Sequence, residues 1–74
     1  MIGEITTHRI NSVEVTSENS ASGTINWIDI KVKCSKGEKF RFVMFPEGGS
    51  DGTLKILEQI RESASDAINK ATGG

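Results

Sequence analysis

The segment 27–45 constrains the fold more than any other, because two runs of alternating apolar residues flank one short polar stretch. The first run is Ile28, Ile30, Val32 and Cys34, and the second is Phe40, Phe42 and Met44. Such alternation is typical of β-strands with one buried face. The segment therefore predicts a β-hairpin with strands over 25–34 and 39–45.

The turn of this hairpin follows from the requirement that both apolar runs face the same side. A two-residue loop would turn the two apolar faces apart, whereas the three-residue loop 35–37 pairs Val32 with Phe40 and keeps them together. Three-residue hairpin loops end on a residue with positive φ, which glycine adopts without steric cost. Gly37 stands at that position, so the turn chemistry and the hydrophobic register agree.

Residues 9–17 predict a strand that precedes this hairpin, because Val13 and Val15 alternate with polar residues. Ile10 breaks this parity, which indicates a β-bulge or an earlier start of the strand. The sequence leaves open whether this strand pairs with the second strand or crosses to the third.

The sequence after Pro46 predicts an amphipathic helix. Apolar residues recur there at helical spacing, namely Leu54, Leu57, Ile60, Ala64, Ala67, Ile68 and Ala71. Ser50 or Asp51 is the expected N-cap, and Gly73 is the expected C′ residue. The alanines of the second half are expected to let the helix lie close to the sheet. The fold predicted is α+β, a three-stranded antiparallel β-meander with one C-terminal helix on one face, in the order β-β-β-α.

The size and composition of the chain limit what it can contain. Its 74 residues predict a single small domain, 1–74, of marginal stability. One cysteine, Cys34, allows no internal disulfide, and one histidine, His8, allows no ordinary multi-ligand zinc site. We therefore expect no metal and no cofactor, and we expect a homodimer to supply the missing stability. The free thiol and the lack of a signal peptide or long apolar run favour a soluble cytoplasmic protein without membrane contact.

The hairpin register also places side chains on the sheet face that the helix leaves uncovered. Trp27 is expected opposite Phe45, Lys31 opposite Arg41, and Lys33 opposite Lys39, with Val43 beside the aromatic pair. One end of this face is then aromatic, and the other end is basic. A contiguous apolar patch on a small protein usually marks an interface, and directly opposed like charges destabilise a sheet. These seven residues are the predicted partner-binding site.

Each end of this face has more than one interpretation, the simplest of which involves no partner. The basic end is consistent with an ordinary solvated strand surface that Glu14 and Glu18 help to neutralise, with a contact to an acidic protein, or with a phosphate backbone. The aromatic end is either covered by the N-terminal segment, through Ile2 and Ile5, or contacts a second copy or another protein.

Catalytic chemistry is not expected from this sequence. His8 has no nucleophile close to it in sequence, and Cys34 lies on the face assigned to the core, where a cysteine acts as a small hydrophobe. We therefore expect a non-enzymatic protein–protein interaction module, a small cytoplasmic regulator or inhibitor of phage or mobile-element type that occludes a larger partner. The alternative is a small nucleic-acid-binding protein that uses the basic end of the sheet.

Overall fold

A computed structural model of the chain, which describes residues 3–23 and 25–73, contains three strands followed by one helix. The strands are β1 (Ile10–Asn19), β2 (Asn26–Cys34) and β3 (Lys39–Met44), and the helix is α1 (Gly49–Ala71). The strands form one antiparallel sheet in the order β1-β2-β3. The predicted α+β class and the β-β-β-α order are therefore confirmed.

The register between β2 and β3 is the one predicted from the three-residue loop. Val32 lies opposite Phe40, and Ile28 lies opposite Met44. Gly37 has a φ of 90°, and its N–H donates to the carbonyl of Cys34 at 2.9 Å. The odd-numbered side chains of the hairpin therefore lie on one face of the sheet and the even-numbered ones on the other.

β1 pairs with β2, which settles the order that the sequence left open. Val13 lies opposite Val32, and Val15 lies opposite Ile30. The pairing shifts between Ile10 and Ser12, which agrees with the first of the two predicted alternatives, a bulge, and β1 starts no earlier than Ile10. The valines of β1 therefore share a face with the apolar side chains of the hairpin.

The core lies between this apolar face and the first half of α1. Ile28 is completely buried and Cys34 is nearly so, which confirms the assignment of that cysteine to the core. α1 makes its main contact with β2, and its inward side chains are Thr53, Ile56, Leu57 and Ile60. The buried hydroxyl of Thr53 donates to the carbonyl of Gly49 at 3.0 Å, so this polar group is satisfied inside the helix.

The helix begins two or three residues earlier than the sequence predicted. Its N-cap is Gly48, with a φ of 90°, and Gly49 also has positive φ, so neither Ser50 nor Asp51 caps it with a side chain. The sequence prediction was wrong because two successive glycines can turn the backbone into the helix without a side-chain cap. At the other end Gly73, with a φ of 80°, follows the C-cap and confirms the predicted C′ position.

The second half of α1 does not lie close to the sheet, so the expectation drawn from its alanines was wrong. Every residue from 61 to 71 is exposed, and Ile68 exposes 62% of its surface. A helix of 23 residues is about 34 Å long, and its main contact is with the central strand. The helix therefore runs past the small sheet that its first half covers.

Candidate partner-binding site

The sheet face opposite α1, called the open face here, carries all seven predicted site residues. Lys31 lies opposite Arg41, and Lys33 lies opposite Lys39, as predicted. On the other side of β2, Glu14 of β1 lies opposite Lys31. The four cations line a groove of about 380 Å³, called the basic groove, together with Ser12 and Glu14. Val32 and Phe40 also border it, although by strand alternation their side chains belong to the other face of the sheet.

The charges of the basic groove are only partly balanced. Glu14 faces Lys31 across the β1–β2 ladder, as the neutralising interpretation required. β1 places Ser12, not a carboxylate, opposite Lys33. Lys33 and Lys39 are therefore two neighbouring like charges without an acidic residue directly opposite either of them. Like charges held side by side favour an anion between them.

Arg41 is held by a carboxylate that the sequence did not single out. Its Nε donates to Oδ2 of Asp29 at 2.7 Å, and its Nη2 lies 2.6 Å from the same oxygen. The Asp29 side chain is 2% exposed. The hydrogen bond from Arg41 lowers the pKa of Asp29 below its ordinary value, although burial acts in the opposite direction.

The pair was missed because it is diagonal across the ladder. Asp29 lies directly opposite Val43, while Arg41 lies directly opposite Lys31. Diagonal neighbours on one sheet face are still within reach of a long side chain. A sequence reading that considers diagonal as well as direct partners would have found the opposite charges.

The aromatic end of the open face is present as predicted. The rings of Trp27 and Phe45 have centroids 6.0 Å apart and planes inclined at 44°. Phe45 is 66% exposed, and Val43 is also exposed. Trp27 is half-buried, so the Phe45 ring is the more exposed of the two and packs against the tryptophan.

Three buried polar atoms lie at the aromatic end of the open face and next to it. Among the residues that the structure describes, Thr16 Oγ1, Trp27 Nε1 and Asp29 Oδ1 are buried and lack a hydrogen-bond partner. Thr16 lies opposite Asp29 on the ladder, and Trp27 precedes Asp29 by two residues on the same face. An unpaired buried polar atom destabilises a folded chain. The hydrogen-bonding capacity of this face is therefore not fully used within the described chain.

The described part of the N-terminal segment does not cover the aromatic patch. Residues 6–9 line a cleft of about 320 Å³ together with Cys34 and Phe40, which belong to the even-numbered face of the hairpin. Ile5 is exposed, so it does not bury the patch as the alternative interpretation required. Ile2 lies outside the described residues.

The same cleft brings together two residues that the sequence kept apart. His8 and Cys34 both line it, although 25 positions separate them in the chain. The Cys34 thiol is buried, and reactive thiols are generally exposed. Within residues 3–23 and 25–73, no group of three or more His, Cys, Asp or Glu side chains is placed to hold a metal ion.

Comparisons of the chain with protein-family models, with curated proteins and with solved structures found no match. In the part of the chain that the structure describes, no helix is both long and apolar enough to cross a membrane.

Proposed function

We propose that this chain is a non-enzymatic protein–protein interaction module. It is a small cytoplasmic regulator or inhibitor, of the kind that phages and mobile elements encode, and it acts by occluding a larger partner through the open face of its sheet. The partner surface that fits is acidic, with an apolar pocket beside the acidic region.

The observation that carries this proposal is that an aromatic patch and a basic groove lie next to each other on the same face of β2 and β3. The exposed Phe45 ring on Trp27 is followed along the same face by the basic groove. An interface needs an aromatic anchor and a polar rim that fixes its orientation. Phe45 can supply the anchor, while Lys33 and Lys39 can supply the electrostatic attraction.

The unpaired polar atoms at and next to the aromatic end support the same proposal. Asp29 Oδ1 can accept a hydrogen bond and Trp27 Nε1 can donate one, yet neither is used within the described chain. These atoms are buried, so a partner would pair with them only after the side chains that cover them move aside, and the hydrogen bonds then formed would add to the affinity of the apolar contact.

Capture from a lysate of the native host, followed by affinity measurement with the purified partner, tests the proposal. Lys33→Glu and Lys39→Glu should each weaken binding about tenfold or more, because each places a negative charge against an acidic surface. Lys55→Glu, on the outer side of α1, is the matched control and should leave the affinity unchanged. Arg41→Glu is a poor probe, because it would also leave Asp29 unpaired.

A second pair of variants tests the aromatic anchor. Phe45→Ser should weaken binding strongly, since aromatic anchors dominate interface energetics. Leu54→Ser removes an apolar side chain of similar exposure from α1 and should have no effect. Equal effects of the two variants would contradict docking through the open face.

Nucleic acid is the second candidate, because four cations line one groove beside a tryptophan. Such a surface can follow a phosphate backbone while bases stack on the aromatic rings. Affinity for single-stranded oligonucleotides would then fall steeply with salt concentration through counterion release. Binding that is absent or insensitive to salt removes this candidate.

A homodimer contact through Trp27 and Phe45 would compete with a partner for the same surface. Light scattering of Trp27→Ala tests this contact directly. A smaller mass for the variant than for the wild type, with the far-UV spectrum unchanged, would assign the open face to self-association.

A further inference from the structure

The chain exposes far more surface than a compact protein of its size. Its accessible surface is 6111 Å², whereas a folded chain of 8.0 kDa is expected to expose about 4,450 Å². The radius of gyration is 14.4 Å, against about 11 Å for a compact domain of this length. The excess area of about 1,650 Å² is roughly twice what one partner buries in a standard interface.

Part of this excess lies on the second half of α1. Successive helical residues advance by about 100°, so Ala64, Ala67, Ile68 and Ala71 continue the side of the helix that faces the sheet from Thr53 to Ile60. In the first half that side is buried or half-buried, and in the second half it is exposed. We call these four residues the distal stripe. An apolar stripe of this width on a helix is normally packed against another element.

A second part lies on the sheet, on the same face as α1. Val13 is 60% exposed there, and Val15, Ile10 and Phe40 are also exposed. Val13 lies opposite Val32 and Val15 opposite Ile30, so these valines extend the core face outward along β1. We call Val13, Val15, Ile10 and Phe40 the uncovered strip, because α1 of the same chain packs mainly on β2.

We propose that a second copy of this chain covers both surfaces, with the distal stripe of each copy packed on the uncovered strip of the other. The two surfaces are complementary in kind. A helix side with small residues can approach a sheet closely, and a strand face rich in valine is a surface on which helices pack. Because one chain carries both surfaces, two copies related by a twofold axis can each place the stripe on the strip of the other. This arrangement forms a closed dimer.

The excess surface favours a second copy over an unrelated partner here. Each copy would contribute one stripe and one strip, and the excess surface of the whole chain, about 1,650 Å², is large enough to include the roughly 800 Å² per partner that a stable interface buries. A single unrelated protein would have to supply both an apolar helix and an apolar sheet strip. This dimer goes beyond the proposed function, since it leaves the open face of each copy free for a partner.

Single charges placed in the two surfaces test the dimer by sedimentation equilibrium. Ala64→Glu, in the distal stripe, and Val13→Lys, in the uncovered strip, should each raise the dissociation constant about tenfold or more. Ser65→Glu places the same charge on the neighbouring residue, which is turned away from the stripe, and should change nothing. Far-UV spectra establish that each variant retains its fold.

Mixing the two variants makes the test specific for the proposed exchange. A mixed dimer pairs the carboxylate introduced by Ala64→Glu with the ammonium introduced by Val13→Lys at one contact, and it keeps the other contact unaltered. The mixture should therefore dimerise more tightly than either variant alone. A wild type that stays monomeric at millimolar concentration would overturn the proposal. So would a dimer insensitive to both variants, or a mixture that dimerises no better than its components.

Discussion

The guanidinium of Arg41 is anchored to the buried carboxylate of Asp29, with Nε and Nη2 at 2.7 and 2.6 Å from the single oxygen Oδ2. This contact links two strands diagonally, and Arg41 also lines the basic groove. It makes Arg41 chiefly a structural residue of the open face. The cations left for an anionic partner are then Lys33 and Lys39, since Lys31 has the carboxylate residue Glu14 directly opposite it.

Loss of Arg41 should destabilise the fold more than loss of its neighbour Lys31. Arg41→Ala leaves the Asp29 carboxylate buried without its cation, which is costly, whereas Lys31→Ala removes an exposed charge. Thermal unfolding should show a lower midpoint for Arg41→Ala and nearly the wild-type midpoint for Lys31→Ala. The double variant Asp29→Ala, Arg41→Ala should be more stable than the sum of its single variants predicts. Strict additivity would show that the pair has no coupling.

The same pair should make stability depend on acid pH. Because Arg41 lowers the pKa of Asp29 in the folded chain, the folded state binds fewer protons at acid pH than the unfolded state, in which the pKa of an aspartate is about 3.9. The stabilisation is therefore complete above about pH 5 and is lost as the pH falls through the lower folded pKa. Urea unfolding should show that Asp29→Asn loses less stability on acidification than the wild type does, while Asp66→Asn on α1 follows the wild type. Parallel curves for all three would contradict this.

Gly52 should resist substitution although it lies inside a helix. A Cβ at this position would overlap the carbonyl oxygen of Glu47. Elsewhere in a helix, replacing glycine by alanine stabilises by about 1 kcal/mol; here Gly52→Ala should destabilise by about 2 kcal/mol. Chemical denaturation of the variant shows directly whether its free energy of unfolding is lower or higher than that of the wild type. A stabilised variant would mean that the chain enters the helix by another path.

Ser50 should contribute little to the helix, because Gly48 is the N-cap. A side-chain N-cap replaced by alanine typically costs about 1 kcal/mol. Ser50→Ala should instead change the free energy of unfolding by less than about 0.5 kcal/mol, as exposed substitutions usually do. A decrease of about 1 kcal/mol in the free energy of unfolding would instead support the sequence-based prediction that Ser50 caps the helix.

The hairpin could be predicted from sequence because two independent constraints coincide at Gly37. The parity of the apolar residues and the positive φ of the turn admit one register, and that register fixes which side chains face away from the helix. The order of β1 could not be predicted, because Val13 and Val15 would match the apolar face of either neighbouring strand.

Where the sequence-based predictions failed, the physical cause is local in each case. The helix start was misplaced because the turn at Gly48 and Gly49 is made by backbone conformation, whereas the sequence rules for helix starts look for a capping side chain. The Asp29–Arg41 contact was missed because only directly opposite residues were considered. The exposed distal half of α1 could not be foreseen, since helical periodicity shows which side of a helix is apolar and not what lies against it.

The single tryptophan provides the most direct test of docking through the open face. Its indole N–H is the one such signal in an ¹H–¹⁵N spectrum, and Nε1 is buried and unpaired in the described chain. On titration with the purified partner, the Trp27 indole and the Lys33 and Lys39 amides should shift or broaden, while the amides of Ala64 and Ile68 stay in place. Shifts confined to α1, with the Trp27 indole unchanged at saturation, would contradict the proposed function.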